Sequence, residues 1–231
     1  KKMVRLLLFT GALLTTAFNS KAQSWEQTNT GFKATINHIT VQAEFYTPAT
    51  IRILKSPEGG ELKKKSLSVI ANPASVQFKV KQSGQLLTLK TDQLQITFDL
   101  GTAAFNFYNS KGTSLLKEKN NSASFKPYND AGDSTFTISQ SFVLDQQEPI
   151  YGLGQQQQGK MSQRNLRLRM EQGNTNDYIP FFQSVKGYGV FWDNYSPTDF
   201  IDTTEATIFS SDVGDGIDYY FMYGGNADAV I

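Results

Sequence analysis

The sequence has no cysteine. That excludes disulfide bridges, thiolate metal sites, a cysteine nucleophile and anchoring through a lipidated N-terminal cysteine. It has a single histidine, His38. One histidine cannot assemble a two-histidine metal site, so His38 reads as a structural or surface residue in the strand-like run of residues 32–39. An excess of either charge is also missing, since 22 Lys and Arg face 21 Asp and Glu for a net charge of +1. No field draws the chain to phosphate backbones or anionic lipid, and nucleic acid is not an expected partner. There is no internal repeat, and the longest homopolymeric tract is the four glutamines 155–158. The basic run Lys63-Lys64-Lys65 sits beside Glu58 and Glu61 and reads as a solvated loop.

The longest apolar stretch stands at the start, where Lys1, Lys2 and Arg5 precede the apolar-rich residues 6–18, followed by Ser20-Lys21-Ala22. This is the order of a secretory signal, and its apolar part is shorter than the ~20 residues needed to cross a bilayer as a helix. Residues 1–22 are therefore read as a signal peptide cut after Ala22. The mature chain is expected in the periplasm or outside the cell, with no membrane anchor after cleavage.

The remaining residues, 39% hydrophobic and 13% aromatic over the whole chain, suffice for one substantial core. Their dominant pattern is period two. Val76, Phe78 and Val80 alternate with polar residues, as do Leu94, Ile96 and Phe98, and then Leu166, Leu168 and Met170, which predicts half-buried strands. Further short runs lie at 50–54, 105–108, 136–142, 189–192 and 217–223. Turn chemistry separates them at 57–60, 83–84, 109–112 and 129–133, each rich in residues that accept positive φ. Short strands punctuated in this way predict an all-β fold, a large antiparallel β-sandwich, over residues 23–225. Asn226-Ala227-Asp228 then reads as a helix N-cap with an early acidic residue. Residues 226–231 are expected to begin a helix leading to a further domain, because one turn alone cannot satisfy its own hydrogen bonds.

Three stretches carry possible chemistry. Gly152-Leu153-Gly154 is not followed by Lys-Ser/Thr and lies in no βαβ pattern, so it reads as a strand end that bends close to another backbone rather than a phosphate cradle. No cofactor is expected. Ile179-Pro180-Phe181-Phe182 reads as a strand start whose aromatics fill the core, and Trp192 as packed rather than a sugar platform. Gly187 and Gly189 around Tyr188 suggest a tight turn into the strand that carries Trp192. Asn120-Asn121-Ser122 and Asn194-Tyr195-Ser196 match the glycosylation triplet.

In order and spacing, Ile150-Tyr151-Gly152-Leu153-Gly154-Gln155, then Ile179-Pro180-Phe181-Phe182-Gln183-Ser184 through Asp193-Asn194, then residues 217–224 resemble one known domain. It is the N-terminal, galactose-mutarotase-like domain of glycoside hydrolase family 31, the α-glucosidases and α-xylosidases; the continuation through Tyr195-Ser196 is closer to the bacterial α-xylosidases. The resemblance implies that the two catalytic aspartates of a retaining α-glycosidase lie in a following (β/α)8 barrel. That barrel would be this domain's partner, an α-linked oligosaccharide would be the substrate, and the chain alone would be inactive. It also implies that one loop of the sandwich reaches the leaving-group side of the sugar. Residues 170–178 stand where family members carry a Trp-Asn-x-Asp segment, and depart from it. The candidate substrate-binding residues are Glu171, Gln172, Asn174 and Asp177, on an expected polar hairpin loop, with Gln155. The alternative is a stand-alone carbohydrate-binding β-sandwich. An aldose mutarotase is disfavoured, because such enzymes use histidine as acid or base and His38 is the only one.

Overall fold

The computed structural model describes residues 24–60 and 65–231. The expected signal peptide, and Lys63 and Lys64 of the basic run, lie outside the described residues. The chain starts as an antiparallel meander of β1 (Ser24–Gln27), β2 (Gly31–Ile36), β3 (Ile39–Thr47) and β4 (Thr50–Pro57). It then crosses to a second meander of β5 (Lys79–Ser83), β6 (Leu86–Lys90), β7 (Leu94–Asp99), β8 (Ala104–Asn109) and β9 (Ser114–Glu118). A hairpin of β10 (Ser124–Asp130) and β11 (Asp133–Val143) follows. From there the chain alternates between layers through β12 (Ile150–Gly152), β13 (Arg167–Met170), β14 (Phe181–Ser184), β15 (Tyr188–Trp192), β16 (Thr198–Asp202), β17 (Thr207–Gly214) and β18 (Ile217–Tyr223). A short α1 (Ala227–Val230) ends it, capped by Asn226, whose Oδ1 accepts the Ala229 N–H at 2.9 Å.

The result is two antiparallel sheets packed face to face. One has the order β1-β2-β3-β4-β18-β15-β14-β12, the other β13-β16-β17-β11-β9-β8-β7-β6-β5, with β10 on β11. The expected sandwich is borne out, and its core is made of rings that meet across the layers. Phe32 of β2 packs on Phe98 of β7 at 5.1 Å, Phe221 of β18 on Phe107 of β8 at 4.2 Å, and Trp192 of β15 on Phe209 of β17 at 5.4 Å. All six rings are fully buried, and each such burial stabilises by roughly 1.5–3 kcal/mol. Trp192 is packed as expected, with its Nε1–H donated to Ser211 Oγ at 2.9 Å.

A charge pair lies inside this apolar layer. Lys55 of β4 is 1% exposed and donates to both carboxylate oxygens of Glu118 on β9, at 2.7 and 2.8 Å, and to Gln140 Oε1 at 3.1 Å and the Ala103 carbonyl at 3.0 Å. Glu118 also accepts from Tyr219 OH at 2.8 Å and the Phe105 N–H at 2.7 Å. Burial pushes the Lys55 ammonium pKa down, and Glu118 opposes the shift.

Three sequence expectations change in the structure. His38 is in the turn between β2 and β3 at φ 63°, next to Asn37 at 50°, because a two-residue hairpin needs positive φ at both positions; its Nδ1 lies 2.7 Å from Glu58 Oε2. The strand expected from Val76 begins only at Lys79. Ile179 is half exposed, and of its apolar run only Phe182 enters the core.

Removing one member of the central pair leaves the other buried without its countercharge, which typically costs about 3–5 kcal/mol. Glu118→Ala should therefore lower the denaturation midpoint severely in a urea titration. A midpoint within error of the parent would show that the pair contributes nothing.

Candidate functional site

Residues 171–180 leave β13 in one sheet and enter β14 in the other, since β13 pairs with β16 while β14 pairs with β12 and β15. The segment is thus a crossover between the two layers at the end of the sandwich, not the hairpin loop expected from sequence. Alternation reveals a strand and its faces but not which sheet it joins.

The candidate residues are brought together in different ways. Gln172 closes the crossover on itself: its Nε2 donates to the Tyr178 carbonyl at 2.8 Å and its Oε1 accepts the Tyr178 N–H at 2.9 Å. Its amide therefore acts as a backbone surrogate. Gln155 and Asp177 meet as an isolated antiparallel bridge through two backbone hydrogen bonds of 2.7 and 3.1 Å, with both side chains exposed. Asn174 is exposed at the outer bend. Glu171 is exposed, with its carboxylate 3.8 Å from Arg169 Nε.

The Gly152-Leu153-Gly154 reading holds. A Cβ on Gly154 would lie 2.0 Å from the Asp177 carbonyl oxygen, and one on Gly152 would lie 2.5 Å from that of Phe181. Both residues have positive φ, 84° at Gly154 and 122° at Gly152, so the crossover can dock there only against glycine.

A cleft of about 420 Å³ opens beside the crossover. Glu171, Gln172, Tyr178 and Ile179 line it on the crossover side, and Phe191 of β15 with the loop 194–198 on the other. Asn174, Asp177 and Gln155 do not line it. The loop 194–198 is pinned to the end of β17. Val213 O accepts from Asn194 Nδ2 at 3.0 Å and from Ser196 Oγ at 2.9 Å, and Asp212 N donates to Pro197 O at 3.0 Å. Tyr195 OH accepts the Leu67 N–H. This second wall was missed from sequence, although Asn194-Tyr195-Ser196-Pro197 is a turn-rich stretch directly after an apolar strand. Next to Glu171, Arg169 holds the Asp212 carboxylate in a two-point contact, with Nη1 to Oδ1 at 2.8 Å. That hydrogen bond pulls the Asp212 pKa below the usual carboxylate range. Its small stabilising effect is present above that range and is lost as pH falls through the lowered value.

The cleft mixes apolar rings with a few polar groups, as small-molecule sites do. Among the described residues that line it, Glu171 alone carries a carboxyl group. Retaining glycoside hydrolysis needs two such groups, about 5–5.5 Å apart, so the cleft can contact a sugar without itself supplying that pair. Among the described residues no group of three or more His, Cys, Asp or Glu is placed to hold a metal ion.

The fold is thus a layered antiparallel sandwich with a cleft at its crossover end. Residues 40–200 match the model of the glycosyl hydrolase 31 N-terminal galactose mutarotase-like domain, and the chain belongs to glycoside hydrolase family 31 through that domain. It is 29% identical to the α-xylosidase of Saccharolobus solfataricus over 206 residues, which covers 85% of this chain and 28% of that protein. The crystal structure of a family 31 α-xylosidase from Xanthomonas citri superposes with a TM-score of 0.72 at 26% identity, covering 75% of this chain and 19% of that one. A Flavobacterium johnsoniae family 31 dextranase complexed with glucose gives a TM-score of 0.73 at 23% identity, over 90% and 26% of the two chains. The chain therefore spans less than a third of the length of these relatives.

The close approach at Gly154 can be tested by substitution. Gly154→Ala must displace the Asp177 backbone and is expected to destabilise by at least about 1 kcal/mol. Gly173→Ala is expected to be neutral, because nothing lies within 4 Å of its Cβ position. Thermal denaturation of both variants checks this, and equal melting temperatures would contradict it.

Proposed function

We propose that the chain is the non-catalytic N-terminal domain of an exported retaining α-glycosidase of α-xylosidase or α-glucosidase type, and that residues 171–178 form part of its substrate pocket. The observation that carries the reading is the cleft beside the crossover, in a domain whose family consists of glycoside hydrolases. In this reading a following (β/α)8 barrel supplies both catalytic carboxyl groups and is the partner on which the sandwich packs. The crossover contributes hydrogen bonds to the sugar on the leaving-group side. The substrate is an α-linked oligosaccharide, which fits the xylosidase and dextranase names of the similar proteins. Export rests on residues 1–22, and a mature N-terminus at Gln23, found by N-terminal sequencing, is its test; Lys1 retained in a cytoplasmic protein contradicts it.

Glu171 and Gln172 now stand ahead of Asn174 and Asp177, because only the first two line the cleft. A hydrogen bond to a sugar hydroxyl is worth about 0.5–1.5 kcal/mol from the neutral Gln172 amide and about 1.5–3 kcal/mol from a carboxylate, toward the low end for one as exposed as Glu171. In the full-length enzyme Glu171→Ala and Gln172→Ala should thus lower kcat/KM by a few-fold to about tenfold, without the collapse caused by removing a catalytic acid. Wild-type kcat/KM for both variants on short and long substrates would leave the crossover a plain connection. Turnover of an aryl α-xyloside or α-glucoside by the 231-residue chain alone would show that catalysis does not need the barrel.

A further inference from the structure

The loop 194–197 has a second groove on its other side, of about 590 Å³. Part of its lining comes from the β10–β11 hairpin, with Tyr128, Asp130 and Thr135. The rest comes from Tyr195 of the loop, from Asp212 near the end of β17 and from Asp215 in the turn between β17 and β18. Neither the hairpin nor Asp215 lines the cleft beside the crossover.

Exposure is the first sign that the groove is a site. Tyr128 and Tyr195 are 45% and 49% exposed, while every other described aromatic ring is buried or half-buried. A protein that packs its rings so thoroughly has left two of them open to solvent, and both line the same groove. Scattered exposed apolar residues need no explanation, but aromatic surface gathered at one depression does.

A hydroxyl is the second sign. Thr135 faces Tyr128 directly in the β10–β11 ladder and is 9% exposed, yet its Oγ1 is buried without a hydrogen-bond partner. A buried hydroxyl in that state calls for a partner that the chain itself does not supply, a water or a ligand group. The third sign is a set of acceptors. Asp130, Asp212 and Asp215 bring carboxylates to the groove, and Arg169 fixes the one on Asp212. The frame is held as well, by Thr137 Oγ1 on the Asp212 carbonyl at 3.0 Å and by the Val213 contacts of Asn194 and Ser196.

Flat rings with a polar tip suit a ligand that has apolar faces and a hydroxylated rim. Sugar rings have that form: their C–H faces lie on aromatic surface while their hydroxyls donate to carboxylates. The carboxylates of Asp130 and Asp215, beside that of Asp212 held by Arg169, disfavour an anionic polymer, and a neutral sugar suits both the rings and the acceptors. We propose that this groove is a second carbohydrate site, which takes a neutral oligosaccharide or a segment of a neutral polysaccharide, with Tyr128 and Tyr195 as its stacking surfaces. It takes from the proposed function only that the protein meets sugars, and its chemistry is binding alone.

Tyr128 separates the groove from the cleft, because Tyr195 lines both and Tyr128 lines only the groove. The test is affinity electrophoresis of the full-length protein in gels containing dextran, xyloglucan or polygalacturonate, with kcat/KM on an aryl α-glycoside measured in parallel. Dextran or xyloglucan should retard the parent, and polygalacturonate should not. Tyr128→Ala should weaken the retardation by about fivefold to tenfold, as expected for loss of an aromatic contact. Tyr128→Phe keeps the ring and should keep the retardation, Thr135→Val should lose a few-fold of it, and kcat/KM should be unchanged in all three. Absence of retardation by both neutral polymers, retardation by polygalacturonate alone, or a Tyr128→Ala variant that migrates like the parent would overturn the proposal. Glu171→Ala, which probes the cleft, should leave the retardation intact, so the two readings fail separately.

Discussion

The arrangement of the two sheets depends on a charge pair buried between them. Lys55 and Glu118 are 2.7 Å apart at side-chain exposures of 1% and 0%. Such a pair persists in an apolar layer only when its remaining donors and acceptors are met. Here they are met from both sides: Tyr219 and Lys55 belong to one sheet, while Glu118, Gln140 and Phe105 belong to the other. Sliding one sheet past the other would leave a charge stranded, whereas apolar rings alone tolerate small offsets. The pair therefore fixes the registry at the middle of the sandwich, and the ring contacts Phe32–Phe98 and Trp192–Phe209 extend it to either side.

That registry determines where the chain can pass from one layer to the other, and so where a site can form. The crossover 171–180 uses the end at which β13 and β14 lie in different sheets. It is closed by Gln172 on Tyr178 and docked by Asp177 on Gln155, over a glycine that leaves room for a carbonyl. The opposite wall is equally constrained, since Asn194 and Ser196 are tied to Val213. A binding surface gains from such rigidity because little ordering remains to be done when a ligand arrives. Tyr195 stands between the two depressions and lines both.

Much of the fold was legible because period two is a local property. Leu94, Ile96 and Phe98 point into one core, and the residues at 83–84, 109–112 and 129–133 do turn the chain. Polar edge strands were not legible. β10 contains Lys126, Pro127, Tyr128 and Asn129, with no apolar alternation, and it exists because β11 offers it a ladder; Pro127 is tolerated on an edge. The turn at His38 is hidden in the sequence, because two residues between two apolar runs leave little trace. The glycines at 152 and 154 are legible, since two glycines flanking one residue at a strand end signal close backbone approach. The cleft itself could only be half seen, because its walls are about twenty residues apart in sequence and meet through sheet pairing.

Hydrogen exchange on the full-length protein, with and without a saturating α-linked oligosaccharide, tests the central claim most directly. The account predicts slower exchange in the peptides covering 171–180 and 194–198 when sugar is bound, with the β5–β6 edge unchanged. Identical exchange in both peptides, in a protein that turns the same sugar over, would contradict it.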